Sequence, residues 1–156
     1  MKVGRITCSD RASAGIYQDE GGPEIERVLT EIWAGPVEFI AKILPDDVSE
    51  IGAALRHLSD EAGCPLIITT GGTGFAARDI TPEATRAVLQ KELPGFGEIM
   101  RAQSFAQAPT SILSRATAGI RGRSLIINLP GNPKAIAQCL PPLMPAIREA
   151  LRHLQE

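Results

Sequence analysis

The stretch that most constrains this chain runs from Pro65 to Pro82. Pro65, Leu66, Ile67 and Ile68 lead into Thr69-Thr70-Gly71-Gly72-Thr73-Gly74, and Arg78-Asp79-Ile80-Thr81-Pro82 follows. A short apolar run bounded by glycines reads as a buried strand that opens into a loop. Glycine lets backbone N–H groups approach an anion closely and adopts angles that other residues avoid. Asp79 lies on the same loop, five residues beyond Gly74. Backbone donors for phosphate beside a carboxylate for a divalent cation point to nucleotide or phosphorylated-ligand chemistry. A bare Gly-Gly pair would signal only a turn; the full run through Pro82 argues for more.

Two better-known glycine motifs are excluded. A Walker A loop needs Gly-Lys-Ser/Thr, and no lysine lies between Lys42 and Lys91. Gly72, Gly74 and Ala77 fit G-x-G-x-x-A, with Glu92 at a suitable distance. That fingerprint requires a helix opening within the motif. Here the start signal comes later, with Thr81 as N-cap, Pro82 in the first turn and Glu83 behind it. Arg78 and Asp79 are therefore expected on an open loop.

The rest of the chain reads as alternating strands and helices. Val3 to Cys8 is expected as a first strand, ending in the polar loop Ser9–Gly15. Pro23 opens a helix with Ile25, Val28, Leu29 and Ile32 on one face. Val37 to Leu44 reads as a second strand, stopped by Pro45-Asp46-Asp47, and Ile51, Ala54, Leu55 and Leu58 mark the next helix. After the third strand, Leu66 to Thr69, a helix is expected from Pro82 to about Glu92. Pro94-Gly95-Phe96-Gly97 breaks the chain before another helical segment, and a short strand is expected beyond Thr110–Arg115. Ser124 to Asn128 reads as a buried strand that stops at Leu129-Pro130-Gly131-Asn132-Pro133. In the last helical segment Pro141, Pro142 and Pro145 predict a kink or a split.

This alternation is the pattern of βα units and a mostly parallel sheet, an α/β fold. At 156 residues it makes one domain, 1–156, able to bury a substantial core. In an open α/β sheet, ligands bind outside the carboxyl ends of the strands. The loops Ser9–Gly15, Pro45–Asp47, Thr69–Thr81 and Pro130–Pro133 would then share one edge.

A net charge of −2 argues against a broad nucleic-acid surface. Cys8, Cys64 and Cys139 are far apart and form no C-x-x-C pair, so buried free thiols in a reducing compartment are expected. No signal peptide is read, and no apolar run approaches the roughly 20 residues that span a bilayer, so the expected location is cytoplasmic, with no membrane partner.

Asp46 and Asp79 each follow a strand and are the candidate catalytic pair, able together to hold magnesium with substrate phosphates completing its shell. Asp47 rivals Asp46, which can equally belong to a helix cap; Asp79 can equally cap the turn at Thr81. Gly131 and Asn132, stiffened by Pro130 and Pro133, can grip a ligand or merely turn into the last helix. Ser114 and Arg115 can bind phosphate, the arginine through a bidentate fork. Ser9, Asp10, Arg11 and Ser13 can contact ligand or form turn and cap bonds.

Taken in order, S-D-R-A-S-A-G at Ser9–Gly15, T-T-G-G-T-G at Thr69–Gly74, R-D-I-T-P-E-A-T at Arg78–Thr85, P-G-F-G-E at Pro94–Glu98, S-I-L-S-R at Ser111–Arg115 and L-P-G-N-P-K at Leu129–Lys134 resemble the MogA/MoaB family of molybdenum-cofactor biosynthesis. Tyr17 and Asp19 extend the first motif toward the MogA branch. The resemblance spans nearly the whole chain. It implies a three-layer αβα sandwich around a mostly parallel sheet, typically as a homotrimer. It also implies transfer of AMP from ATP to the terminal phosphate of molybdopterin, with magnesium, and a product passed to a molybdenum insertase. The family's two functional aspartates match Asp46 and Asp79. Its glycine-rich loop matches Gly71, Gly72, Thr73 and Gly74, its pterin-phosphate region matches Ser111–Arg115, and Pro130–Pro133 lies at the same pocket. A non-catalytic trimeric molybdopterin carrier of the same family is the alternative. Aromatic content is 4%, and Phe75 is the one evident stacking residue near the loop.

Overall fold

The computed structural model describes residues 1–156. Six strands form one sheet in the order β2-β1-β3-β6-β5-β4. They are β1 (Lys2–Cys8), β2 (Glu38–Leu44), β3 (Leu66–Thr70), β4 (Lys91–Glu92), β5 (Ala118–Arg121) and β6 (Ser124–Leu129). β2, β1, β3 and β6 run parallel, whereas β5 and β4 add an antiparallel edge. The helices are α1 (Asp10–Ser13), α2 (Gly21–Ile32), α3 (Val48–Arg56), α4 (Thr81–Arg86), α5 (Gly95–Phe105) and α6 (Pro133–Gln155).

Register assigns each strand residue to a face. Val3, Leu66 and Leu125 are aligned, as are Gly4, Ile67 and Ile126 one step on. The first set faces a core built with Ile25, Leu29, Met100, Leu140, Leu143 and Ile147 of α2, α5 and α6. The second faces a smaller core with Ile51, Leu55, Leu58, Ala84 and Val88, from α3, α4 and the turns that follow them. Helices thus cover both faces, which is the three-layer α/β sandwich expected. The central strands β3 and β6 are buried along their whole length and are almost continuously apolar, as parallel strands between two helical layers must be. No helix is long and apolar enough to cross a membrane.

Several boundaries differ from expectation. The loop after β1 contains the short helix α1, because the Ser9 side chain accepts the Ala12 N–H and caps a turn there. α4 ends at Arg86 rather than near Glu92, since Gln90 and Leu93 donate to the Ile120 and Ala118 carbonyls and draw Lys91–Glu92 into the sheet edge. Thr81 is the first helical residue rather than the cap, its N–H donating to the Gly72 carbonyl. Gly95 begins α5 instead of preceding it. Residues 109–113 form a 3-10 turn ahead of β5.

α6 is a single helix of 23 residues despite three internal prolines. Pro141, Pro142 and Pro145 lie on its exposed side, where carbonyls that lose their N–H partners reach water. Ile136, Leu140, Leu143, Met144 and Ile147 hold the opposite face against the sheet. The cysteines Cys8, Cys64 and Cys139 are buried and free.

Candidate functional site

Because β1, β2, β3 and β6 are parallel, the four polar loops meet at one edge of the sheet. Side chains then knit the loops together. The Asp10 N–H donates to Asp46 Oδ2 at 3.1 Å, and the Asp46 N–H donates to Asp10 Oδ1 at 3.0 Å. Arg78 reaches over from the third loop and donates Nε and Nη2 to the two Asp10 oxygens, both at 2.9 Å. Loops after three different strands therefore share one cluster of charge.

Asp46 and Asp47 separate cleanly. Asp47 is the N-cap of α3 and accepts the Glu50 N–H at 2.8 Å. Asp46 turns inward, and its Oδ1 is buried with no hydrogen-bond partner, as is the Thr81 hydroxyl. Burial is the main cause that pushes the Asp46 carboxyl above its ordinary range; the nearby Asp10 and Asp79 charges add to it, and the Asp10 N–H opposes it. Both unpartnered oxygens lie beneath Gly72. A Cβ at that position would collide with the Thr81 hydroxyl and sit 3.1 Å from Asp46 Oδ1.

The glycine loop takes the shape its composition allows. Gly71 and Gly72 have φ of 90° and 66°, in the left-handed region that glycine enters without a Cβ penalty. A Cβ on Gly71 would strike the Cys8 carbonyl oxygen, so β1 and the loop touch backbone to backbone. The loop then closes on itself. The Asp79 N–H donates to the Ala76 carbonyl at 3.0 Å, and the Ala76 N–H donates to Asp79 Oδ2 at 3.0 Å. Asp79 Oδ1 stays open.

Arg115 lies at the loop, but its donors turn inward. Nε donates to the Gly74 carbonyl and Nη2 to the Asp79 carbonyl, each at 2.7 Å, while Nη1 binds the Glu83 carboxylate. Its own N–H donates to the Thr73 carbonyl at 2.8 Å. The expected phosphate fork is occupied in holding the glycine loop to α4. Ser114 accepts the Ala116 N–H at 3.3 Å and lines a separate cavity of about 210 Å³ with Arg101, Pro130 and Cys139.

In the last loop, Asn132 caps α6 by accepting the Lys134 N–H at 2.9 Å, and Pro133 fills its first turn. The Pro130 carbonyl accepts the Thr70 hydroxyl at 2.8 Å, and Gly131 packs on Gly71. Between this loop and the first one lies a cleft of about 270 Å³ whose walls include Ser9, Tyr17, Asp19, Gly71, Gly131 and Pro133. Arg11 and Ser13 are exposed on α1 outside it, and the Ser13 hydroxyl donates to the Asp10 carbonyl.

Tyr17 and Asp19 were not among the candidate site residues, yet both line the cleft. The Tyr17 and Ser9 hydroxyls are 2.7 Å apart. Asp19 accepts from Thr7 Oγ at 3.0 Å, Arg5 Nη1 at 3.1 Å and the Gly22 N–H at 3.1 Å. The signal for this anchor was Arg5, a charge between Val3 and Ile6 in a buried strand, which must find a partner. Burial pushes the Cys8 thiol, also on the cleft wall, up to about 12, which keeps it protonated.

Magnesium favours oxygen ligands and can be held by one or two carboxylates plus phosphates. The buried, unpartnered Asp46 Oδ1 and the open Asp79 Oδ1 suit that need. The structure gathers no set of three or more protein ligands that would hold a metal unaided.

Comparison with known proteins agrees with this architecture. Residues 4–149 match the family described as "Probable molybdopterin binding domain". The chain is 54% identical over 147 residues to the molybdopterin adenylyltransferase of Helicobacter pylori strain ATCC 700392 / 26695, covering 94% of this chain and 84% of that protein. It is 49% identical over 140 residues to the molybdopterin adenylyltransferase of Escherichia coli K12, covering 90% and 72% respectively. Among solved structures, the molybdopterin biosynthesis enzyme MoaB from Thermus thermophilus superposes with a TM-score of 0.89 at 43% identity, covering 98% of this chain and 95% of that one. The chain therefore belongs to the molybdopterin-binding domain family of molybdenum-cofactor biosynthesis.

Proposed function

We propose that this protein is a molybdopterin adenylyltransferase, transferring AMP from ATP to the terminal phosphate of molybdopterin and releasing pyrophosphate. Relatives at 54% and 49% identity bear that name and align over most of the chain. The observation that carries the reading is the meeting of Asp46, Asp79 and the Gly71–Gly74 backbone at one sheet edge, beside an open cleft.

In this reading a terminal phosphate oxygen of molybdopterin attacks the α-phosphorus of ATP. The bond from that phosphorus to the bridging oxygen breaks, and pyrophosphate leaves with the electron pair. The attacking phosphate is already ionised, so no side chain has to remove a proton. Catalysis then rests on positioning and on stabilising charge. The N–H groups of Gly71–Gly74 face phosphate oxygens, and the Arg115 clamp keeps that backbone in place. Ser9, Gly131 and Pro133 shape the cleft that receives one of the two substrates.

Asp46 and Asp79 would hold magnesium, with Asp10 fixing the Asp46 backbone. Bound there, magnesium would neutralise charge on the phosphate oxygens as the leaving group departs. The protein acts in the cytoplasm as a homotrimer and passes its product to a molybdenum insertase.

The test is release of pyrophosphate from ATP by the purified protein with magnesium, with and without molybdopterin. Release that requires molybdopterin is expected. Molybdopterin binding with no release would instead favour a carrier of the same family.

A further inference from the structure

We propose that Arg78 is the cation that binds the polyphosphate of the nucleotide, resting on Asp10 in the free protein and exchanging that carboxylate for phosphate oxygens on binding. The proposal rests on the adenylyltransferase reading for its ligand, and on the geometry for its residue.

The edge where the loops meet is strongly acidic, with Asp10, Asp46, Asp47 and Asp79 on three of its loops. A triphosphate brings further negative charge, which an arginine beside the metal can offset. Arg115 cannot serve in its present arrangement, because its donors are spent on the Gly74 and Asp79 carbonyls and on Glu83. Arg78 differs in each of these respects. Its side chain is 68% exposed, and its one ion-pair partner, Asp10, is 41% exposed. A solvent-exposed pair of this kind adds little stability, so exchanging its carboxylate for another oxyanion costs little.

The backbone beneath Arg78 is fixed while its side chain lies at the surface. The next residue, Asp79, is held at its N–H by Ala76, at its carbonyl by Arg115 and at its side chain by the Ala76 N–H. A guanidinium on a fixed base that already makes a two-pronged contact to a carboxylate has the geometry to receive phosphate by the same fork. It also lies over the loops that carry Asp46 and Asp79, where the phosphates have to arrive. Asp10 keeps its place without Arg78, through the reciprocal bonds with Asp46.

The probe is inorganic pyrophosphate, titrated calorimetrically with magnesium into the full chain and its Arg78→Gln and Arg78→Lys variants. Melting temperatures are measured alongside, and the KM for ATP where turnover is seen. We expect Arg78→Gln to weaken pyrophosphate binding and raise the KM for ATP about tenfold, as loss of one charged contact should. We expect Arg78→Lys to recover part of both, and all three proteins to melt together. Pyrophosphate binding that is absent in the wild-type protein, or unchanged in Arg78→Gln, would overturn the proposal. So would a loss of affinity that follows a lowered melting temperature and is not recovered by lysine, because Arg78 would then act by holding the loops together. Pyrophosphate binding is read without molybdopterin. A protein that binds it through Arg78 yet transfers no adenylyl group would refute the functional reading and leave this inference standing.

Discussion

Asp46 turns its carboxylate beneath Gly72, whereas Asp47, one residue on, turns outward to receive the Glu50 N–H at the start of α3. Spacing along the chain does not distinguish them, since either could follow β2 and precede a helix. The difference is one of side-chain direction, set by the reciprocal Asp10–Asp46 bonds. It leads to opposite phenotypes. Asp47→Ala removes a helix cap and should lower stability by about 1 kcal/mol in denaturant melts with turnover retained. Asp46→Asn should keep the melting temperature and lose about 100-fold or more in turnover. Equal turnover losses in the two variants would show that the assignment is mistaken. Arg115 teaches the same lesson. Its place in S-I-L-S-R suggested a fork for phosphate, but in the folded chain the fork closes on the Gly74 and Asp79 carbonyls.

At the scale of elements, the Arg115–Glu83 pair joins the glycine loop to α4 and gives a pH dependence. Arg115 holds the Glu83 carboxyl below its ordinary range. A carboxyl whose value is lowered in the folded state adds stability above its unfolded value of about 4.3, and loses it as pH falls through the folded value. The stability gap between wild type and Glu83→Gln should therefore be present at neutral pH and close below about pH 4, and it should stay within about 1 kcal/mol because the pair is partly exposed. Denaturant melts across that range would reveal it, and a gap independent of pH would contradict the assignment. α6 offers a second test. Pro142 faces solvent inside a helix that its apolar face already holds in place. Pro142→Ala restores a backbone donor and should stabilise the protein by about 2 kcal/mol; a destabilised variant would mean that the proline is needed where it stands. The strands were legible because buried parallel strands are almost continuously apolar. α1, β4 and the unbroken α6 were not, because a four-residue capped turn, a two-residue edge pairing and the exposed setting of three prolines all depend on neighbours distant in sequence.

At the scale of the molecule, the decisive inference from sequence was topological. Four polar loops, each after an apolar run, converge only if their strands are parallel, and they are. The meeting of those loops at one edge followed from that, before any side chain was placed. What stayed hidden was the cleft wall of Tyr17 and Asp19, which hydrogen bonds to Ser9 and to Arg5 hold in place from 8 and 14 positions away. The assembly proposed here is also testable. Sedimentation equilibrium should give three times the chain mass of 16.6 kDa, and a monomer at micromolar concentration would remove the homotrimer from the account.

If the proposed function holds, Asp46, Asp79 and the glycine loop together support transfer of an adenylyl group to molybdopterin. The most direct measurement follows the labelled α-phosphate of ATP in the presence of molybdopterin and magnesium, using wild type and Asp79→Asn. Label should move from ATP onto molybdopterin with wild type, and transfer should be lost in Asp79→Asn, which should still bind the pterin. Label that never reaches molybdopterin, or that reaches it equally well with Asp79→Asn, would contradict that function.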